Sequence, residues 1–484
     1  MRFVALAASF DGTLARDGRY DERCVDALRA LAASGRKLIL VTARELRELL
    51  EIFPWTRVFD HVIAENGAIL HQPATKRSEI LAQAPSEVLL QELHRRGVAP
   101  LTVGSSIVTT PLANEREVRD AIEKLRLDCQ LVTNDGALIV LPADVNKASG
   151  VQEALRQLGI SAQNLVVIGD AENDLALFRL AEHAVAVQNA DALIKECADR
   201  TTSGAYCEGF LELVRDLMDG DLAYAQPKLR VPLGTLADGT ELTLAPYYDS
   251  LLICGQRGSG KTAFCSELSE QLLANGYQCC IIGAAQNLSA KIPAGLRSFG
   301  DAHEAPRLSE VLATLEHPTV SVALNLAALP LESRSVFVDA LLVQLQALHD
   351  RAGRPHTIVI QDAQWFSYGA SHAALVSRLS EMTRIYVSSE PERLPAEILE
   401  GVVTAIALGE DARVPSRFTD FGSTERIRLE QRGTGSSQPA EVWVRANRRE
   451  RGRQATADEV GCGMSRPPAA GSASAEDEIP SLSG

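Results

Sequence analysis

The stretch that decides the fold stands at the start of the chain and reads Phe3-Val4-Ala5-Leu6-Ala7-Ala8-Ser9-Phe10-Asp11-Gly12-Thr13-Leu14. Its apolar run predicts a buried strand, and the polar cluster with a glycine predicts a loop after that strand. Open α/β sheets bind ligands at the carboxyl ends of their strands. This stretch therefore predicts an α/β fold with a functional loop at residues 9–13.

Two further buried strands are predicted at residues 37–41 and 165–169, each followed by polar residues. A helical pattern between residues 21 and 34 separates the first two strands, so these strands form a parallel pair with a right-handed crossover. The pair brings Asp11 and Thr42 to one edge of the sheet. The third strand ends in a turn that carries Asp170 and Asp174, and carboxylate oxygens suit Mg²⁺.

Four segments in this order resemble the motifs of the haloacid dehalogenase (HAD) superfamily of phosphatases. They are Asp11-Gly12-Thr13-Leu14, Thr42, Lys147 and Gly169-Asp170-Ala171-Glu172-Asn173-Asp174. Ala64-Glu65-Asn66-Gly67-Ala68 resembles a segment of the Cof-type (IIB) members, which insert a small α+β cap that chooses the leaving group. The resemblance implies a Rossmann-like core with a parallel sheet at residues 1–72 and 144–218, interrupted by a cap at residues 73–143.

The same resemblance implies a role for each motif residue. Asp11 is the general acid and base, and its backbone carbonyl contacts Mg²⁺. Thr42 and Lys147 hold the phosphoryl group. Asp170 is the direct carboxylate ligand of the metal, and Asp174 orients Lys147 or a metal-bound water.

The nucleophile of this family is an aspartate two residues before Asp11, and the chain has Ser9 there. Serine cannot form an acyl phosphate, and it removes an anionic ligand of the metal. Loss of a covalent nucleophile costs on the order of a millionfold in rate. We therefore expect a phosphatase fold without phosphatase activity that still binds a phosphorylated small molecule, a pseudoenzyme. The alternatives are residual activity or a rearranged role for Asp11.

A second motif follows a predicted strand at residues 251–254. Gly255-Gln256-Arg257-Gly258-Ser259-Gly260-Lys261-Thr262 is a complete Walker A sequence, and Phe264, Leu268 and Leu272 continue it as one face of a helix. Such a loop wraps nucleotide phosphates with backbone N–H groups. We expect ATP or GTP to bind at Gly255, Gly258, Ser259 and Gly260, with Lys261 on the β- and γ-phosphates and Thr262 on Mg²⁺.

The Walker B candidate is the strand at residues 357–360 with the segment Gln361-Asp362-Ala363-Gln364. Together with Gly353-Arg354-Pro355-His356 it resembles HerA/FtsK-type P-loop ATPases. In one alignment Gln361 replaces the metal-binding acid and Asp362 the water-activating glutamate. In the other, Asp362 takes the metal and Ala363 leaves no base. Both alignments predict nucleotide binding with slow hydrolysis.

The remaining segments complete the predicted organisation. A linker with a hairpin spans residues 219–247, the P-loop NTPase domain spans residues 248–446, and a disordered tail with a basic cluster spans residues 447–484. The 484 residues carry a net charge of −15, which disfavours a generally DNA-coating surface. No apolar run of about 18 residues predicts a membrane span. The nine scattered cysteines indicate reduced thiols in a cytoplasmic protein.

Three functions remain open at this point. The first is a nucleotide-responsive regulator or scaffold with degraded catalysis in both halves. The second is an active Mg²⁺-dependent small-molecule phosphatase with a regulatory ATPase domain. The third is a HerA/FtsK-like nucleic-acid motor; polynucleotide kinase-phosphatases also join these two folds, but the cap, the Gly353–His356 block and the acidic charge disfavour them. Homo-oligomerisation is left open.

Overall fold

The computed structural model describes residues 1–134, 136–235, 239–247, 249–284, 293, 295–364, 379, 381–409, 424–430 and 437–444. The predicted tail at residues 447–484, with its basic cluster, lies outside the described residues. So do residues 445–446 at the predicted end of the second domain and Asp135 in the predicted cap hairpin. No helix within the described residues is both long and apolar enough to span a membrane.

The first half of the chain alternates strands and helices. In chain order its elements are β1 (Ala5–Ser9), β2 (Ala15–Arg16), β3 (Arg19–Tyr20), α1 (Glu22–Ala33), β4 (Lys37–Val41), α2 (Leu46–Ile52), β5 (His61–Ala64), β6 (Ile69–Gln72), β7 (Arg77–Ile80), α3 (Glu87–Arg95), β8 (Thr102–Val103), β9 (Val108–Pro111), α4 (Glu115–Leu125), β10 (Cys129–Asn134), β11 (Ala137–Pro142), α5 (Lys147–Leu158), β12 (Leu165–Gly169), α6 (Leu175–Leu180), β13 (His183–Ala186), α7 (Ala192–Cys197), β14 (Arg200–Thr201) and α8 (Cys207–Gly220).

Eight of these strands form the first sheet, in the order β14-β13-β12-β1-β4-β5-β6-β7. The strands from β14 to β5 are parallel, and β6 and β7 add an antiparallel edge. The predicted α/β fold with a parallel sheet is confirmed. One boundary differs: residues 77–80 were predicted in the cap, but they form β7 and pair with β6, so the insertion begins after this strand.

Packing of α1 on the sheet follows the predicted pattern. Its N-cap Asp21 accepts a hydrogen bond from the backbone N–H of Arg23, and its buried face carries Cys24, Val25, Leu28 and Leu31. The structure pairs Cys24 with Cys207 as a disulfide that links α1 to the start of α8, with the Cα atoms 5.9 Å apart. The expectation of reduced cysteines is therefore wrong for this pair, because the two helices pack side by side in the fold.

The cap is a four-stranded sheet in the order β10-β11-β9-β8 with two helices, α3 and α4, packed together. Its own core contains Leu93, Val108, Val118 and Leu138. A second, smaller apolar cluster joins the cap to the loops of the first domain. It consists of Ala68, Ile107, Ile139, Leu141 and Val145, with Ala43, Ala82 and Val132 partly buried against it.

The second half contains a larger sheet. In chain order its elements are β15 (Val231–Thr235), β16 (Glu241–Leu244), β17 (Ser250–Cys254), α9 (Lys261–Ala274), β18 (Cys279–Gly283), β19 (Leu296–Phe299), α10 (Leu308–Leu315), β20 (Ser321–Asn325), α11 (Leu331–Ala352), β21 (Thr357–Ile360), β22 (Thr383–Ser388), α12 (Ala396–Gly401), β23 (Thr404–Leu408), β24 (Thr424–Glu430) and β25 (Ser437–Val444).

These strands form a mixed, eleven-stranded sheet in the order β16-β15-β24-β25-β23-β17-β22-β21-β18-β20-β19. The strands from β23 to β19 are parallel, and the four strands before them in that order are antiparallel. Strand β17 is fully buried between β22 and β23. The hairpin of β15 and β16, predicted as part of a linker, instead extends this sheet through its contact with β24. The second half is a mixed α/β domain.

The two domains meet through the amino ends of their strands. Asn164, just before β12, donates from Nδ2 to the carbonyl oxygen of Gly353 at 3.2 Å and accepts at Oδ1 from Nε2 of His356 at 3.0 Å. Glu182, just before β13, accepts from the hydroxyl of Tyr277 at 3.0 Å. The four side chains in these polar contacts, Asn164, His356, Glu182 and Tyr277, are buried. The carboxyl edges of both sheets therefore face away from this interface.

Candidate functional site

A small cavity lies at the carboxyl edge of the first sheet. Strands β1 and β4 are in register there, with Ser9 opposite Val41, so the residues that follow them converge. Strand β12 contributes the turn that begins at Asp170. Among the described residues, the cavity is lined by Ser9, Asp11, Thr42, Ala43, Lys147, Asp170, Ala171 and Asn173. The structure thus brings together the candidates that the sequence places in four separate segments.

Lys147 is fixed at the first residue of α5. The N-cap Asn146 accepts from the backbone N–H of Ser149, and Ser149 Oγ accepts from the backbone N–H of Asn146, which completes a capping box. The buried Nζ of Lys147 donates to Asp174 Oδ1 at 2.7 Å and to Ser9 Oγ at 3.2 Å. In these contacts Lys147 is the hydrogen-bond donor and Ser9 Oγ is the acceptor.

Asp174 has both carboxylate oxygens engaged. Oδ1 accepts from Lys147, and Oδ2 accepts from the backbone N–H groups of Asp170 at 3.1 Å and Ala171 at 3.3 Å. The side chain is fully buried. These contacts suit the lysine-orienting role of Asp174, and Asp170 is the carboxylate of this turn that lines the cavity.

Asp170 lies beside the loop that follows β1. Its Oδ1 accepts from the Thr13 hydroxyl at 3.0 Å. Burial, and next the charge of Asp174, raise the pKa of Asp170 to about 7. Gly12 has a φ of +72°, and a Cβ there would lie 1.8 Å from Asp170 Oδ2, so this approach requires glycine.

Asp11 is held by a residue that the sequence did not single out. Arg44 donates from Nε to Asp11 Oδ2 and from Nη2 to Oδ1, each at 2.8 Å, and it also bonds Glu48. This hydrogen bonding with Asp11 raises the pKa of Arg44. Both oxygens of the predicted acid and base are therefore occupied by a bidentate arginine.

Asn173 matches the fourth motif, but no role was assigned to it from the sequence. Its Oδ1 accepts from Lys147 at 2.9 Å, while its Nδ2 is buried and has no hydrogen-bond partner. Asn173 also lines the cavity, and its buried Nδ2 is an unsatisfied donor. The only sequence signal for it was its place between Glu172 and Asp174 in the fourth motif.

The Walker A residues form the loop between β17 and α9. Gly255, Gly258 and Gly260 have positive φ angles, and α9 begins at Lys261. The Lys261 Nζ donates to the carbonyl oxygens of Gly255 and Gln256, each at 2.8 Å. Ser259 lies within this loop, and Thr262 is in the first turn of α9.

The Walker B segment follows β21 at the same edge of the second sheet. Burial lowers the pKa of Lys261, and the charge of Asp362 opposes that shift, so Asp362 acts electrostatically on the Walker A lysine. Gln361 is buried at the end of β21. Strand β22 lies between β17 and β21, and the Ser388 hydroxyl at its end donates to Gln364 Oε1 at 2.9 Å.

Comparison with known proteins identifies the first domain. The family model of haloacid dehalogenase-like hydrolases matches residues 6–96 and 112–213. A phosphoglycolate phosphatase from Methanothermobacter thermautotrophicus is 32% identical over 220 residues, which cover 44% of this chain and 98% of that protein. The chain belongs to the haloacid dehalogenase-like hydrolases.

Two other similar proteins align with the same share of this chain. A phosphoglycolate phosphatase from Archaeoglobus fulgidus is 31% identical over 224 residues, which cover 44% of this chain and 96% of that protein. A haloacid dehalogenase-like hydrolase of known structure from Bacteroides thetaiotaomicron aligns with 44% of this chain and 99% of its own at 18% identity, with a TM-score of 0.41. The family match ends at residue 213, before the second domain.

HAD phosphatases depend on Mg²⁺ in general, and the carboxylates that line the cavity are those of Asp11 and Asp170. Mg²⁺ binds through one or two carboxylates together with waters and phosphate oxygens. Asp170 faces the cavity with a raised pKa, which a bound cation would lower again. Within the described part of the chain, no group of three or more His, Cys, Asp and Glu side chains is arranged to hold a metal.

Proposed function

We propose that the first domain binds a phosphorylated ligand without hydrolysing it and that the second domain binds a nucleotide, so that the chain acts as a nucleotide-responsive regulator or scaffold. The single observation that carries the first part is the contact of Lys147 with Ser9 at 3.2 Å, in a cavity that Asp11, Thr42 and Asp170 also line.

Chemistry at this cavity lacks an activated nucleophile. The ammonium of Lys147 donates to Ser9 Oγ, which lowers the nucleophilicity of that oxygen. The carboxylate of Asp11 is occupied by Arg44, so it does not serve as a base for the Ser9 hydroxyl. A serine nucleophile requires an adjacent base. The remaining groups support binding: Thr42 and Lys147 offer donors to phosphoryl oxygens, and Asp170 would hold Mg²⁺, which neutralises phosphate charge when bound.

The alternative is an active Mg²⁺-dependent phosphatase, because the similar proteins from Methanothermobacter thermautotrophicus and Archaeoglobus fulgidus are named phosphoglycolate phosphatases. The two possibilities are separated by the Ser9→Asp variant. This change restores a carboxylate nucleophile and an anionic metal ligand. Lys147, which contacts Ser9, can form an ion pair with the new carboxylate.

The experiment measures Mg²⁺-dependent phosphate release from 2-phosphoglycolate and from a generic aryl phosphate. We expect no turnover by the wild-type chain and clear turnover by Ser9→Asp, which disappears in the double variant Ser9→Asp with Asp170→Asn. Wild-type turnover that is abolished by Asp170→Asn would establish the active-phosphatase alternative. A folded Ser9→Asp protein without turnover would mean that the site has lost more than its nucleophile.

Nucleotide binding by the second domain is supported by the conformation of the loop at residues 255–261 and by the charge of Asp362 close to Lys261. In either alignment of the Walker B segment one catalytic acid is missing, because Gln361 is neutral at the metal position or, with Asp362 on the metal, Ala363 offers no base. Binding with slow turnover is the behaviour of a nucleotide sensor.

A further inference from the structure

The loop that follows β1 is supported by the side chain of Asn189. Its Nδ2 donates to the carbonyl oxygen of Gly12 at 2.8 Å, in the middle of the loop at residues 11–13. Asn189 belongs to the segment that follows β13. In the same segment, the backbone N–H of Asp191 donates to the carbonyl oxygen of Asp170 at 2.9 Å. This segment therefore holds the backbone of two parts of the candidate site.

Asn189 is in turn held by the residue that precedes α8. Its Oδ1 accepts from the backbone N–H of Tyr206 at 2.7 Å. Tyr206 has a φ of +50° and a ψ of −130°, a conformation that residues other than glycine rarely adopt. A backbone in such a conformation persists only where the surrounding structure imposes it. The position of the Tyr206 N–H thus depends on the contacts at the start of α8.

A disulfide is the covalent contact at the start of α8. Cys207 directly follows Tyr206, is the first residue of α8, and is bonded to Cys24 of α1. The same end of α8 also contacts α1 through the ion pair of Arg23 with Glu208, at 2.7 Å, but both of these side chains are more than half exposed. Exposed ion pairs contribute little to stability. The disulfide is therefore the stronger of these two links to α1.

The start of α8 is also the place where a reductant can reach this disulfide. Cys207 is 8% exposed, whereas Cys24, inside α1, is 2% exposed. The N-cap residue Tyr206 makes no side-chain hydrogen bond to the helix. The first N–H groups of a helix have no partner within the helix, and helix ends fray readily. Fraying of one turn of α8 exposes the sulfur of Cys207.

We propose that Cys24 and Cys207 form a reversible thiol–disulfide switch that sets the ligand affinity of the site in the first domain. The proposal rests on the proposed function, because it concerns the regulation of the same ligand-binding cavity. With the disulfide formed, Tyr206 holds Asn189, and Asn189 holds the loop at residues 11–13. With two thiols, Tyr206 relaxes to an ordinary conformation and Asn189 loses its N–H partner. The loop then loses its support, and the ligand binds more weakly.

A dithiol supplies the two electrons of the switch. One of its thiolates attacks the sulfur of Cys207, the S–S bond of the protein breaks, and Cys24 leaves as a thiolate that takes up a proton. The second thiolate of the dithiol attacks the dithiol's own sulfur in the mixed disulfide, which releases Cys207 as a thiolate that also takes up a proton. The dithiol ends as a cyclic disulfide, and the reverse sequence re-forms the bond of the protein.

The test compares the oxidised full chain with the same chain reduced by dithiothreitol. Hydrogen exchange measured by mass spectrometry should become about tenfold faster at residues 10–15 and 204–210, because the N–H groups of Gly12, Leu14 and Ala15 are bonded within the loop that loses its support. In titration calorimetry with Mg²⁺ present, 2-phosphoglycolate should bind the reduced chain about tenfold more weakly, and reoxidation should restore the affinity.

Three variants assign the effect to this pair and its route. The double variant Cys24→Ser with Cys207→Ser should have the affinity of the reduced chain, with or without dithiothreitol. Asn189→Ala should weaken binding to a similar extent in the oxidised chain and should remove the response to dithiothreitol, because this side chain connects Tyr206 to the loop. Cys197→Ser removes an exposed free cysteine and serves as the control, which should respond as the wild type does.

The outcomes separate the switch from the function beneath it. If 2-phosphoglycolate binds the oxidised and reduced chains equally, the switch is overturned and the binding function stands. If it binds neither form, the proposed function fails and the switch fails with it. Unchanged exchange at residues 10–15 also overturns the switch, and so does an equal rise throughout β1, β4 and β12, since the bond would then stabilise the whole domain. Alkylation of both Cys24 and Cys207 in the chain kept under oxidising conditions would overturn it as well.

Discussion

The carboxyl group of Asp170 makes the stability of the first domain depend on pH, and Asp170→Asn tests this directly. Burial and Asp174 raise the pKa of this carboxyl from 3.8 to about 7. A raised pKa means that the folded state binds the proton more tightly than the unfolded chain does. The resulting stabilisation is present at low pH and is lost as the pH rises from about 4 through about 7.

The size of this stabilisation follows from the difference between the two pKa values of Asp170, 3.8 and about 7. About three powers of ten in proton affinity, at about 1.4 kcal/mol each, give an upper figure of about 4 kcal/mol. Asp170 lines an open cavity, so solvent screening reduces this figure, and we expect about 2 kcal/mol. Asparagine stays neutral at every pH and keeps an oxygen for the Thr13 hydroxyl. Without Mg²⁺, Asp170→Asn should therefore equal the wild type near pH 4 and exceed its free energy of unfolding by about 2 kcal/mol at pH 8.

Urea unfolding at several pH values between 4 and 8, with EDTA throughout, measures this difference. A parallel series with Mg²⁺ gives the control, because the ion should stabilise the wild type at pH 8 and leave the asparagine variant unchanged. At a concentration of one hundred times its Kd the ion would add about 2.7 kcal/mol. A difference between the two proteins that is constant with pH, or a variant that is the less stable one at pH 8, would refute the reasoning.

Three further predictions concern the second domain and its junction with the first. Lys261→Ala should weaken binding of Mg²⁺-ATP by about tenfold or more in titration calorimetry, because the lysine supplies a charge-assisted contact to phosphate; equal affinities would contradict the Walker A interpretation. The double change Gln361→Asp with Asp362→Glu should raise ATP turnover in a phosphate-release assay, and a wild-type rate of about 1 s⁻¹ or more would show that the site is not degraded. His356→Ala should lower the free energy of unfolding by about 2–4 kcal/mol, since it leaves the N–H of Gln278 and Oδ1 of Asn164 without their partner; an unchanged melting temperature would mean that this junction contributes nothing to stability.

The sequence was sufficient to predict the architecture of the first domain, because the central strands of that domain are almost wholly apolar and are followed by polar loops. Strand β1 is buried along its length, and β12 is too, so both appear as continuous apolar runs. Parallel pairing then places Ser9 and Asp170 at one edge without further information. Strand β7 was missed because all four of its residues are exposed. Its sequence therefore has no run of apolar residues that would predict a strand of the main sheet.

Side-chain pairing inside the site was not predictable in the same way. Arg44 stands two residues after Thr42 and reads as an ordinary charged residue at a helix start. Its bidentate contact with Asp11 joins residues 33 positions apart and depends on the exact approach of two loops. The orphaned Nδ2 of Asn173 is visible only when its surroundings are known.

The contacts of the Gly353–His356 block with the first domain were not predictable from the sequence either. In the sequence it serves as a family feature beside the Walker B strand, whereas in the structure Arg354 and His356 are buried. Arg354 donates from Nη2 to the carbonyl oxygen of Gly159 at 2.6 Å, across the junction. No local pattern encodes a partner almost 200 residues away.

The meeting of the two sheets at their amino edges sets how the two halves can communicate. A ligand released at residues 9–13 cannot pass directly to the loop at residues 255–261, because the junction and both sheets stand between them. Strand β12 begins directly after Asn164 and ends directly before Asp170, and β21 begins directly after His356 and ends directly before Gln361. The hydrogen bond between Asn164 and His356 therefore links the amino ends of these two strands, so the two ligand-facing edges are connected through two strands and one side-chain contact.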